Sequence, residues 1–136
     1  MAPLAVLARL AGLEVERDRR ALAALDDQLD RLRRQIAEAE AQGRRERQAV
    51  VDLAGARALA LYLEAQRQRR RAAEAEISRL EAARAQQLAR MLASRLELKR
   101  LEVLQARQDR RRRVEAQRRE RQSLDELALL TREAER

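Results

Sequence analysis

One ladder of apolar residues between positions 22 and 43 constrains this chain more than any other feature. Leu22, Leu25, Leu29, Leu32, Ile36, Ala39 and Gly43 are spaced alternately three and four residues apart. That is the a/d rhythm of a coiled-coil seam, whose residues must each meet a facing helix. The intervening positions are Asp, Arg, Gln, Glu and Ala, as a solvated helix face requires. Acid-first pairs such as Asp27 with Arg31 and Glu40 with Arg44 each add roughly 0.2–0.5 kcal/mol to an isolated helix. Pro3 suits a first helical turn.

The rest of the chain fits the same fold class. Only 1% of residues are aromatic, and there are 3 Gly and 1 Pro in 136 residues. Ala, Leu, Arg, Glu and Gln dominate, all strong helix formers, and β-branched and aromatic residues are too few for a sheet. The ladder resumes as Ile77, Leu80, Arg84, Gln87, Met91, Ser94, Leu98 and Leu101, with half the seam polar. Leu88, Leu92 and Leu96 widen the apolar stripe beside it, and Val114, Gln117, Arg121, Leu124 and Ala128 form a last stripe.

Between the ladders, Gly43 and Gly55 bracket a stretch that includes Val50, Val51 and Asp52, all weak helix formers. The chain reversal is placed there. The expectation is an all-α protein of two long helices in an antiparallel coiled-coil hairpin, a single coiled-coil domain over residues 1–136. Helix 1 is expected at about 4–48, the hinge at about 44–57 and helix 2 at about 58–134. The core would pair Leu22, Leu25, Leu29, Leu32 and Ile36 with Ile77, Leu80, Met91, Leu98 and Leu101. The alternative is one continuous helix, a rod of about 200 Å that must pair with another chain. The hairpin is favoured because the second seam lies close in sequence. Its arms are unequal, so one end of helix 2 would project alone.

Composition excludes several chemistries. Cys is 0 and His is 0, so there is no thiol nucleophile, no Cys/His zinc site and no imidazole base. No Gly-rich phosphate loop is present, and acids spaced along a solvated helix are not a catalytic dyad. No catalytic residue, cofactor or metal site is expected, and the chain reads as a non-enzyme. Met1 to Leu13 lacks the basic n-region of a signal peptide. No apolar run is long enough for a transmembrane segment.

The net charge is +8, almost all from arginine, because Lys99 is the sole lysine. Such a surplus favours acidic partners. Arg67, Arg69, Arg70 and Arg71 form one run, Arg110, Arg111, Arg112 and Arg113 a second, and Arg118, Arg119 and Arg121 a third. Nucleic acid would use them as phosphate contacts. Single-strand binders add aromatic stacking platforms, and Tyr62 is the only aromatic here. An acidic protein partner is therefore preferred. Tyr62 is either a residue packed at the hinge or an exposed partner contact. Ser123, Leu124, Asp125 and Glu126 match a capping box, which fits a helix restart or an accident within one helix.

Lys99, Arg100, Leu101, Glu102, Val103 and Leu104, then an Arg-rich helix, then Leu124, Asp125, Glu126, Leu127 and Ala128, resemble the FliJ family. The resemblance implies a flagellar type III export component, cytoplasmic and peripheral at the inner face of the cell membrane. Family members are antiparallel two-helix coiled coils similar to the central stalk of rotary ATPases. It further implies three partners: a hexameric export ATPase, an export gate membrane protein and substrate chaperones. On this reading Leu124, Asp125, Glu126, Leu127 and Ala128 belong to the segment near the ATPase ring, with Arg110, Arg111, Arg112 and Arg113 as its basic face. Tyr62 and Leu63 fall near the family's gate-binding region. The chain departs from the family in lacking its usual N-terminal aromatic and most central ones. Two other readings are a coiled-coil scaffold without an ATPase link and a basic helical nucleic-acid binder.

Overall fold

The computed structural model describes residues 3–136. Two α-helices account for nearly all of them: α1, Pro3–Gln48, and α2, Leu53–Glu135. Among the described residues there is no strand, so the chain is all-α.

The break between the helices has a local cause at each end. The Ala49 N–H still donates to the Arg45 and Glu46 carbonyls, at 3.1 and 3.3 Å. Val50 and Val51 follow, whose branched side chains disfavour further helix. Asp52 then caps α2: its carboxylate accepts the Gly55 N–H at 2.7 Å, and its carbonyl accepts the Ala56 N–H at 3.0 Å. This satisfies one of the orphan donors of a helix start. Gly55 suits that position because a Cβ there would stand 2.9 Å from the capping oxygen.

The chain divides into two units, Val15–Ala93 and a second made of α1 up to Glu14 with Ser94–Arg136. Val15–Ala93 is a helical hairpin. Leu29, Leu80 and Met91 are its buried apolar residues, at 2%, 3% and 6% exposure. Leu22, Leu25, Leu32, Ile36 and Ile77 are half-buried along the same seam. The cross-helix contacts establish the direction. Asp26 pairs with Arg84 at 2.5 Å, Arg33 with Glu81 at 3.0 Å and Glu40 with Arg70 at 2.5 Å. As the α1 number rises the α2 number falls, so the helices run antiparallel.

The polar positions of the α2 ladder have cross-helix partners. Arg84 reaches Asp26, and the Gln87 amide donates to the Asp18 carbonyl and carboxylate, both at 3.2 Å. Leu88 is half-buried, but Leu92 and Leu96 are 50% and 73% exposed. They do not widen the packed stripe, because they stand 100° and 140° around the helix from Met91.

In the other unit nothing is fully buried among the described residues. Leu98, Leu101, Gln105 and Gln108 of α2 are half-buried, as are Leu4, Ala8, Ala11 and Gly12 of α1. From Asp109 to the end of α2 every residue is exposed. That is about 40 Å of single helix. Among the described residues no helix is long and apolar enough to cross a membrane.

Candidate functional site

The exposed end of α2 is the first candidate surface. Arg110–Arg113 are consecutive, so successive side chains turn by 100° and the run encircles the helix. All four are exposed, and among the described residues none is ion-paired. One turn later Arg119 lies 3.7 Å from Glu115, an exposed pair worth at most about 1 kcal/mol.

Helix continues without interruption through Ser123, so the S-x-x-E match there is not a restart. Leu124, Leu127 and Ala128 share one face at i, i+3 and i+4. Leu124 and Leu127 are 59% and 60% exposed. Asp125 and Glu126 turn to other faces. Thr131 donates its hydroxyl to the Leu127 carbonyl at 2.8 Å. The result is a short apolar stripe on an isolated helix, preceded by a ring of cationic charge. Such a surface can bind a partner with an apolar groove and acidic surroundings.

Tyr62 and Leu63 lie near the start of α2 and behave differently. Tyr62 is half-buried, and its hydroxyl accepts from the Gln66 amide at 2.8 Å. Leu63 turns to α1, where its Cδ2 stands 4.0 Å from the point a Cβ on buried Gly43 would occupy. A groove of 560 Å³ runs past this point, lined among others by Ile36, Ala39, Gly43 and Leu63. Arg44, Arg47, Arg69 and Arg70 stand around it. Arg70 bridges Glu40 on α1 and Glu74 on α2, at 2.5 and 3.0 Å. The Glu74 hydrogen bond and the Glu40 charge raise its already high pKa. Farther along, hydrogen bonding from Arg79 lowers the Glu76 carboxyl below its usual range, and Arg79 is raised in return.

Among the described residues no three His, Cys, Asp or Glu side chains stand close enough to hold a metal ion. Sequence reasoning missed Asp18 and Asp26 as partners of the polar seam residues. It also missed the Asp52 cap, whose only signal was an aspartate three residues before a glycine.

Neither a curated protein nor a solved structure matches the chain. The family model for the Flagellar FliJ protein matches residues 1–134, so this chain belongs to the FliJ family, a component of the flagellar protein-export apparatus.

Proposed function

We propose that this chain is the non-enzymatic coiled-coil stalk of the flagellar export machinery, binding a hexameric export ATPase through the exposed end of α2. The observation that carries this reading is that end itself: from Asp109 onward every residue is exposed, yet Leu124 and Leu127 form an apolar stripe there. A helix presenting leucines without a helix against them is poised for a partner. Arg110–Arg113 supply charge that an acidic ring interior would attract over several ångströms without deep pockets. Contacts of that kind are salt-sensitive and reversible, which suits a rod held by a ring that changes state.

In this reading Leu124, Asp125, Glu126, Leu127 and Ala128 meet the ATPase, and the paired part of the two helices couples the ring to an export gate membrane protein. Tyr62 and Leu63 are the proposed gate contact. Of the two, Tyr62 is the better placed to touch a partner, because Leu63 is directed at Gly43. Substrate chaperones are further partners. The protein works in the cytoplasm, peripheral to the inner face of the membrane, and acts by binding rather than by catalysis.

The test uses two variants of the full chain. One replaces Arg110–Arg113 with Glu, and the other ends before Leu124. Both alter only exposed residues, so circular dichroism should retain the helical signal. Binding to the export ATPase should weaken about tenfold or more, and stimulation of its activity should fall with it. Wild-type binding and stimulation by both variants would refute the assignment.

A further inference from the structure

We propose that the turn between α1 and α2 is a membrane-docking tip that seats Val51 and Leu53 in the interface of an anionic phospholipid bilayer. The tip lies roughly 70 residues before the proposed ATPase contact and does not depend on it.

Turns between helices are ordinarily built from Gly, Pro, Asn, Asp and Ser, which bend the backbone and welcome water. This one reads Val50, Val51, Asp52, Leu53. Val51 is 93% exposed, the most exposed large apolar residue described, and Leu53 is 71% exposed. Neither packs the hairpin, so neither is there for its core. The one acid at the tip is already engaged, its carboxylate accepting the Gly55 N–H at 2.7 Å. Apolar side chains that protrude at a convex end can enter a soft apolar boundary where a facing helix could not cover them.

The charge around the tip names that acceptor. Arg44, Arg45 and Arg47 end α1, and Arg57 lies in the first turns of α2. Residues 44–57 hold four arginines against two acids, Glu46 and the capping Asp52. At 1.5 Å rise per residue, Arg44–Arg47 lie within about 10 Å of the tip along the helix axis. That is comparable to the screening length, so they would feel a charged bilayer surface. Long guanidinium side chains can reach headgroup phosphates while the apolar tip enters the acyl boundary. Nucleic acid offers phosphates but nothing for Val51 and Leu53, and the one aromatic, Tyr62, is half-buried and hydrogen-bonded. Two apolar residues and a few arginines give weak, reversible attachment, not anchoring.

The experiment uses the full chain with Val51→Trp, the only tryptophan it would contain. It is mixed with phosphatidylcholine vesicles with and without phosphatidylglycerol. The expected result is co-sedimentation only with the anionic vesicles, with blue-shifted Trp emission and protection from acrylamide. In the otherwise wild-type chain, the paired change Val51→Ser and Leu53→Ser should weaken vesicle binding about tenfold at unchanged helicity. Replacing Arg44, Arg45, Arg47 and Arg57 with Gln should abolish it. No co-sedimentation with anionic vesicles would overturn the proposal and leave the tip to a protein socket. Binding with solvent-exposed Trp, or unaffected by the serine changes, would reduce it to arginine adsorption and also overturn it. Equal binding to uncharged vesicles would refute the anionic requirement.

Discussion

Two stretches of the same hairpin, Val15–Ala93, are built from the same ladder yet pack differently. Away from the turn, Leu29, Leu80 and Met91 are buried, and Asp26 with Arg84 and Asp18 with Gln87 close the seam at its polar positions. Nearer the turn the seam residues are Ile36, Ala39 and Gly43 on α1, with Gln66, Arg70 and Ala73 on α2; of these only Gly43 is buried, and the groove there, 560 Å³, is larger than the 450 Å³ one beside Leu29. Periodicity alone therefore does not set cohesion. Side-chain volume at the repeating positions does, because small residues on the seam leave facing atoms without contacts. The tightly packed stretch holds the hairpin, and the loosely packed one carries the dense positive charge and the apolar turn.

The contrast can be broken most forcefully at Leu29. Leu29→Ala should destabilise the hairpin by about 3 kcal/mol, since a fully buried leucine leaves a cavity. The half-buried Leu63→Ala should cost about 1 kcal/mol. Urea denaturation followed by helical ellipticity measures both, and equal losses would erase the distinction. Next in size is the cap: Asp52→Ala removes the acceptor for the Gly55 N–H and should cost about 1 kcal/mol. Asp52→Asn should recover most of it.

Gly43→Ala carries the opposite sign. The added methyl would stand 4.0 Å from Leu63, ordinary contact distance. Removing a mid-helix glycine should therefore stabilise the protein by up to about 1 kcal/mol while shrinking the groove. A lower melting temperature in that variant would mean the two helices need the gap. The smallest effect is a pH dependence at Glu76, whose folded pKa lies below the ordinary 4.5 because Arg79 hydrogen-bonds the carboxylate. A lowered carboxyl pKa stabilises the fold above its unfolded value and loses that contribution as pH falls through the folded one. Glu76→Gln should flatten the acid limb of the stability profile slightly, read from melting temperatures across that range.

Much of this fold was legible in the chain. Three-four spacing from Leu22 to Ile36 reveals a helix with one packed face, and scarce glycine and proline leave little else to build. What spacing could not convey was register. Arg84 and Gln87 read as faults in an apolar ladder until the opposite helix places Asp26 and Asp18 across from them. Leu92 and Leu96 read as core because leucine usually is, but they stand off the seam around the helix, and both are exposed. The Asp52 cap was hidden because aspartate also lowers helix propensity, and only the backbone distinguishes those two effects. The candidate binding segment at Leu124–Ala128 was legible only through family likeness, since its periodicity is that of any helix face.

In this fold the first ladder packs back on the chain's own second half. The chain has no cysteine, so nitroxide labels can be placed at Arg33→Cys and Glu81→Cys, replacing an exposed cross-helix ion pair 3.0 Å long. Pulsed electron resonance on labelled protein diluted in an excess of unlabelled chain should give a short separation, as for helix axes about 10 Å apart. A separation near about 70 Å, the span of one continuous helix between those positions, or a short distance that vanishes on dilution, would contradict it.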